Sequence, residues 1–240
     1  MLWFKPRVLI LIEILFQDEF LVIVNKPPLV LSQPTVDKKR LPIKELFEQE
    51  NPQFKGKLFL HHRLDYETSG VFLMSQSSTI NKHLTEMFSE HRFEKKYVCV
   101  TRPNKIQVGK KVNCEIVNEY EWVIKNYMAP AKGLGGGKKR MISVKSGGWP
   151  AETRFKVFKR TDHFFCIDAI PKTGRTHQIR QHLQESYCSI LGDNIYGGKS
   201  DLVPRLMLHA RELNFIHPMT KKMINVTAAP PKDFQKFLDI

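Results

Sequence analysis

A chain of 240 residues can build one substantial domain, and an apolar fraction of 42% with 16 phenylalanines supplies a large buried core, which excludes a disordered chain. Lysine and arginine total 38 against 24 aspartates and glutamates, leaving a net charge of +14. Such a charge predicts attraction to polyanions, with nucleic acid as the first candidate and an anionic membrane surface as the second.

The cysteines and the N-terminus indicate the compartment. Cysteines 99, 114, 166 and 188 are too far apart for a zinc ribbon, a C-x-x-C redox pair or a disulfide scaffold, and scattered thiols are typical of a reducing cytosol. The apolar run after Arg7 is interrupted by Glu13 without a small-residue cleavage site. No stretch reaches the roughly 18 uncharged apolar residues of a membrane-spanning helix. We therefore expect a soluble, cytoplasmic protein.

Strand patterns dominate the first part of the chain. Apolar runs at 14–16 and 20–24 around a polar turn predict a hairpin of two buried strands, which ends at Lys26-Pro27-Pro28. A surface loop is expected over 32–42 and a short helix over 43–50.

A polar insert, His61 to Gly70, separates two apolar, strand-like segments. In extended backbone Arg63 and Asp65 point to the same side. A guanidinium beside a carboxylate lowers the carboxyl pKa, so Asp65 would be a nucleophile or an electrostatic stabiliser rather than a general acid. The alternative is a plain turn that Asp65 caps and in which Arg63 pairs with it.

Residues 77–91 place apolar side chains at helical spacing, which predicts an amphipathic helix that begins near Ser77 or Ser78 as cap. A strand over 93–100 follows.

After strand-like pieces at 112–117 and 121–128, a glycine-rich run that begins at Lys132 leads to three consecutive cations, Lys138, Lys139 and Arg140. This segment is not a P-loop, because the required first glycine and the final serine or threonine are missing. We interpret it as a mobile basic loop suited to phosphate contacts without base reading, and the alternative is a solvated loop without a role.

Strands are predicted over 152–159 and 164–170, and a turn at Gly174 opens a helix. His177 and Arg180 are three residues apart and are predicted to share one helical face. His177 and His182 are five apart, which misses the zinc-binding H-E-x-x-H spacing, so structural hydrogen bonding is expected of them.

Strands outnumber helices and arrive in runs, which predicts an α+β fold with a mainly antiparallel mixed sheet and flanking helices. We place one catalytic domain at 14–240, preceded by an N-terminal extension at 1–13.

The chemistry available in the polar segments narrows the reaction. Asp65, Glu67 and Asp193 do not form the carboxylate cluster of a metal-dependent nuclease. Glycosidases need two carboxylates facing one bond. One carboxylate among cations suits nucleophilic attack with a leaving group that stays in the site, as in isomerisation of a base.

Several motifs in order carry a resemblance to a known family. Residues 62–70 closely resemble the H-R-L-D-x-x-T-S-G motif of the RluA-type pseudouridine synthases. Asn25-Lys26-Pro27 resembles the first motif of that family, Lys95-Lys96-Tyr97 the second, and residues 174–180 its G-R-x-H-Q-[IL]-R motif. The segments 190–197 and 208–210 complete the order.

This resemblance implies a pseudouridine synthase-like domain with a central cleft, acting on transfer RNA, ribosomal RNA or both. It implies that Asp65 is the nucleophile towards a flipped-out uridine, Tyr97 stacks on the base, Arg180 pairs with the catalytic carboxylate and Arg63 fills the space of the flipped nucleotide. It implies neither a metal nor an organic cofactor. Whether attack occurs at C1′, at C6 or by way of a glycal stays open.

Two departures from the family pattern are visible. Leu29 and Gln33 stand where relatives commonly have glycine and histidine after the first motif, and only 13 residues precede the first hairpin, too few for the S4 RNA-binding domain of many relatives. Target selection is therefore expected from the catalytic domain, and nothing in the sequence demands more than a monomer. The competing hypotheses are an RNA-binding or RNA-folding factor that has lost catalysis and a metal-dependent RNA cleavage enzyme.

Overall fold

The computed structural model describes residues 11–36, 40–105, 113–131 and 140–238. Its strands are β1 (Ile14–Gln17), β2 (Leu21–Lys26), β3 (Phe59–Leu60), β4 (Ser69–Ser75), β5 (Glu94–Thr101), β6 (Asn113–Asn118), β7 (Glu121–Pro130), β8 (Met141–Val144), β9 (Trp149–Arg160), β10 (Phe165–Pro171), β11 (Leu208–Ile216) and β12 (Met223–Thr227). The helices are α1 (Ile43–Glu50), α2 (Asn81–Ser89), α3 (Gln178–Glu185) and α4 (Lys232–Leu238).

The strands form one mixed sheet in the order β1-β2-β4-β11-β5-β10-β9-β7-β6, with β3, β8 and β12 paired at its side. The strand pairs of the described residues are antiparallel, apart from β4 beside β11. The expected α+β fold with a mainly antiparallel sheet is confirmed.

The predicted N-terminal hairpin forms, but only its second strand is buried: β2 is covered because helices lie against both faces of the sheet there, whereas β1 is an edge strand of exposed and half-buried residues. Ile43 and Phe47 of α1 share a core cluster with Val22 and Val24, whereas α2 covers the opposite face beside Leu21. Burial on both faces explains why β2 reads as a continuous apolar run rather than as an alternation.

Helix α2 begins later than its sequence pattern predicts. A short 3-10 helix over Ser78–Ile80 precedes it, and the expected cap at Ser77 is wrong, because its hydroxyl bonds Thr79 Oγ1 instead of a helical N–H. Helix α1 has the predicted bounds. Within the described residues, no helix has the length and hydrophobicity to cross a bilayer.

The junction of β4 and β11 places the polar insert. Gly70 has a φ of +113°, and a Cβ on it would collide with the backbone of Ala210, so this close parallel approach requires glycine. Beside it, Ser69 Oγ lies 2.9 Å from His209 Nδ1. His209 Nε2 donates to Ala228 O at 3.0 Å, so Nδ1 accepts from the serine. This join fixes β4 immediately after the insert.

Candidate active site

The polar insert is held from both sides before it reaches Asp65. His62 Nε2 accepts the N–H of Leu73 at 2.9 Å, and its ring stacks on Phe88 with centroids 5.1 Å apart. Burial lowers the pKa of His62 to about 3, so the ring is neutral and can accept this bond. The hydroxyl of Ser32 donates to Leu64 O and accepts from Leu64 N. These contacts fix the insert on rigid strands.

Asp65 is bound by an arginine from a distant part of the chain. Arg180 Nη1 donates to Asp65 Oδ2 at 2.9 Å, and the Asp65 side chain remains 18% exposed. Its second oxygen, Oδ1, lies 3.8 Å from His177 Nε2. One oxygen is therefore anchored, while the carboxylate still reaches the solvent-facing pocket.

A second carboxylate fixes Arg180 itself. Its Nε and Nη2 donate to the two oxygens of Asp193, each at 2.8 Å, and Asp193 is completely buried. Burial opposes ionisation of Asp193, but the hydrogen bonds and charge of Arg180 outweigh it and lower the carboxyl pKa. The guanidinium thus bridges the buried carboxylate of Asp193 and the accessible carboxylate of Asp65. The bidentate pair with Asp193 fixes the orientation of the guanidinium towards Asp65.

The turn before α3 delivers Arg180 to this position. Gln178 Oε1 accepts from Thr173 Oγ1 at 2.6 Å and from Arg175 N at 3.0 Å. His177 precedes the helix with a φ of +55°. The predicted sharing of one helical face by His177 and Arg180 is therefore wrong, because His177 is the left-handed N-cap; both side chains nevertheless approach Asp65.

Arg63 does not pair with Asp65 as the simple turn hypothesis predicts. It is exposed and lines the pocket, while the carboxylate bonds Arg180. The turn itself exists, since Thr68 N donates to the main-chain oxygen of Asp65. The extended-strand argument for Arg63 failed because the insert is a loop in the structure.

Tyr97 lies at the centre of the sheet and lines the pocket that contains Asp65. On β5 it is paired with Ala169 of β10 and Ala210 of β11. Both neighbours are small, so the aromatic ring has room beside them. Burial and then the charge of Asp65 raise the pKa of Tyr97, which keeps its phenol neutral. In the sequence, only the family motifs connect Arg63, Asp65, Tyr97 and Arg180. In the structure all four side chains line one pocket.

Reasoning from the sequence gave no role in the site to Lys26, Tyr196 or Asp193. Lys26 is fully buried, and burial lowers its pKa to about 7 although the charge of Asp65 acts in the opposite direction. His177 Nδ1 lies 3.3 Å from Tyr196 Oη, which joins Tyr196 to the site. Asp193 was considered only as one of three scattered carboxylates and as part of the motif segment 190–197. The signal that the sequence offered was the glycine before it. In the structure a Cβ on Gly192 would meet the backbone of Arg205, so the turn that places Asp193 requires glycine.

The basic loop is described only at its end. Lys138 and Lys139 lie outside the described residues, so their predicted RNA contacts stay a prediction. The Arg140 guanidinium lies over the Tyr196 ring at 5.3 Å, and Arg180 lies at the same distance from that ring. In the described part of the chain, no group of three or more His, Cys, Asp or Glu side chains could hold a metal ion.

The amino-acid sequence of this chain is similar to that of known proteins over most of its length. The model of the RNA pseudouridylate synthase family matches residues 20–185. The chain is 32% identical over 236 residues to the ribosomal large subunit pseudouridine synthase C of Buchnera aphidicola subsp. Schizaphis graminum, over 95% of this chain and 70% of that protein. It is 30% identical over 249 residues to the tRNA pseudouridine synthase C of Haemophilus influenzae, over 95% and 97% of the two chains.

A solved structure agrees with the fold. Human RNA Pseudouridylate Synthase Domain Containing 4 has a TM-score of 0.66 at 25% identity, covering 95% of this chain and 92% of that one.

Proposed function

Because the chain belongs to the RNA pseudouridylate synthase family, we propose that it isomerises particular uridines of transfer RNA, ribosomal RNA or both, with Asp65 as the nucleophile. The family makes it an isomerase that converts uridine into pseudouridine in RNA. The choice between the two RNA classes rests on relatives named for each of them.

The observation that carries the role of Asp65 is its asymmetric environment. Arg180 holds one carboxylate oxygen at 2.9 Å, whereas the side chain stays 18% exposed towards the pocket. A nucleophile needs this combination of fixed direction and access. Asp193 has the same chemistry but is completely buried, so it orients Arg180 and does not meet substrate.

The reaction conserves every atom of the uridine. The bond between C1′ and N1 breaks, the base rotates, and a bond forms between C1′ and C5, while the C5 proton is replaced by one at N1. Asp65 would add to C1′ or to C6 and leave again, or, on a route through a glycal, would take the C2′ proton as the uracil departs and return it when the C1′–C5 bond forms. No oxidant or reductant is needed, because reactant and product are isomers.

The remaining residues would bind the flipped nucleotide. Tyr97 offers a neutral aromatic face to the uracil, since its pKa is raised. Arg63 is exposed at the same pocket, where it can fill the space that the uridine leaves in the RNA. Lys138, Lys139 and Arg140 would add phosphate contacts beyond the pocket. All these residues come from one chain, so a monomer suffices.

Asp65→Asn tests the proposal against an RNA-binding factor without catalysis. Replacing a nucleophile should lower the rate of pseudouridine formation by at least about 10³-fold. The neutral amide keeps the size of the side chain, so RNA affinity should change far less. The substrate is total RNA from cells that lack the gene, and pseudouridine is quantified by mass spectrometry of nuclease digests.

Two outcomes would reject the assignment. If the unsubstituted protein adds no pseudouridine to this RNA, the enzyme is not an RNA isomerase on these substrates. If Asp65→Asn retains most of the activity, Asp65 is not the nucleophile.

A further inference from the structure

A second, larger depression lies beside the active pocket. This flanking groove has a volume of about 680 Å³, and its wall includes His91, Lys125, Tyr127, Lys145 and Lys172. The pocket around Asp65 has a volume of only about 90 Å³. The groove is therefore much the roomier of the two and can take several groups of a polymer.

The groove and the pocket share a wall. Thr173 lines both, and the turn from Pro171 to Arg175 separates them. Lys95 Nζ donates to Thr173 O at 3.4 Å. Arg175 Nε donates to Pro150 O at 3.0 Å, and Pro150 lines the groove. A strand that leaves the pocket over this turn would enter the groove directly.

The charges of the groove favour an anion. Three lysines line it against one carboxylate, Glu152, which already pairs with Lys172 at 2.9 Å and with Lys125 at 3.8 Å. Lys145 has no ion pair with any residue that the structure describes. The lysine ammonium groups are therefore in excess. Lys125 and Lys172 are 54% and 72% exposed, so both can turn towards a ligand without losing a buried partner.

An aromatic side chain lies among these cations. Tyr127 is 49% exposed and shares a face of β7 with Lys125, two residues earlier. Its cross-strand neighbours are Val144 and Pro150, which form an apolar support on either side. About half of the surface of this residue is left open to solvent. Lysines around an open aromatic ring match single-stranded RNA, whose bases stack while its phosphates bind cations.

We propose that the flanking groove binds the single-stranded RNA next to the target uridine, with Lys125, Lys145 and Lys172 on phosphates and Tyr127 stacked on a base. The proposal rests on the proposed function, because the strand it binds is the continuation of the substrate. An acidic protein would satisfy the lysines, but it would make no use of Tyr127 or of the shared wall with the pocket.

The test removes the charges together. The variant Lys125→Gln/Lys145→Gln/Lys172→Gln is compared with Lys55→Gln/Lys57→Gln/Lys222→Gln, which removes the same charge from exposed lysines outside the pocket and the groove. Affinity is measured with a labelled oligouridylate at several salt concentrations, and pseudouridine formation with total RNA from cells lacking the gene. Thermal unfolding shows that each variant is folded.

The groove variant should weaken oligouridylate binding about tenfold or more and raise KM more than it lowers kcat. The slope of log affinity against log salt should fall by up to about 2, since each lost phosphate contact on a single strand removes about 0.7. Tyr127→Leu, which keeps every charge, should weaken binding about tenfold with no change in the salt slope. The control variant should change affinity less than the groove variant.

Cross-linking gives an independent result. Ultraviolet irradiation with an oligouridylate containing 5-iodouridine should attach RNA to the peptide that carries Tyr127. Equal weakening in both lysine variants, or cross-links confined to other peptides, would overturn the groove. Failure of the unsubstituted protein to form any pseudouridine would instead overturn the proposed function, so the two failures are distinguishable.

Discussion

The active pocket and the flanking groove lie on two sides of one turn, yet they hold charge in opposite ways. Arg180 is 4% exposed and donates three hydrogen bonds to two carboxylates, whereas Lys172 in the groove is 72% exposed. Fixed, buried charge costs desolvation but sets direction, which catalysis needs. Solvated charge costs little and can follow a flexible polyanion. The comparison indicates that the rigidly held charges are concentrated in the active pocket, around Asp65, rather than in the groove.

Replacing Asp193 should have the largest effect on the stability and geometry of the active pocket. Asp193→Asn leaves the buried Arg180 guanidinium with a weaker partner, and the free energy of unfolding should fall by about 3 kcal/mol. Activity should fall as well, because Asp65 then faces an arginine that is free to move. The measurements are urea denaturation and kcat for pseudouridine formation.

A matched control for Asp193 is Asp233 of α4. It also binds an arginine, Arg205, through two hydrogen bonds, but it is 30% exposed and does not line the pocket. Asp233→Asn should cost less stability and leave kcat nearly unchanged. Equal losses of kcat in the two variants would show that Asp193 acts through general stability alone.

Tyr97 allows a smaller test of the pocket. Tyr97→Leu keeps an apolar side chain but removes the aromatic face, and stacking on a base is worth about 1–3 kcal/mol. We expect the rate at low RNA concentration to fall by roughly tenfold to a hundredfold. Tyr120→Leu, at the exposed turn between β6 and β7, is the control. A Tyr97→Leu protein as active as this control would exclude stacking on Tyr97.

The pH dependence of the free energy of unfolding tests how the buried Lys26 is charged in the folded protein. Its pKa is about 7 in the folded protein, below the ordinary 10.5, because it is buried. Between these values the unfolded chain binds more protons, so stability rises with pH across this window. Lys26→Met lacks this titration, and its free energy of unfolding should rise less steeply, by up to about 1.4 kcal/mol per pH unit. Denaturation at pH 6 to 10 measures the slopes; identical slopes would mean that Lys26 stays protonated.

Much of the fold was predictable from the sequence because it is local. The bounds of α1 were predicted as observed, and the strands of the first hairpin and of β5, β7, β9 and β10 lie where their patterns placed them. Side-chain alternation and turn residues act over a few positions, so they can be recognised in a single sequence. The bounds of α2 and the left-handed His177 were missed, because caps and positive φ depend on contacts that a pattern does not contain.

The candidate site divides in the same way. By itself the sequence determined that Asp65 is a carboxylate among cations in a polar insert, and its ordered motifs identified the family. Residue spacing by itself offered Arg63, two residues before Asp65, and the family resemblance implied Arg180; only the tertiary structure shows the contact itself, with Arg180, 115 residues away. The physical reason is that the partner is set by the parallel approach of β4 and β11 at Gly70 and by the buried Asp193 that aims the guanidinium. Sequence proximity offered Arg63, and the packing of the sheet assigned the charge to Arg180.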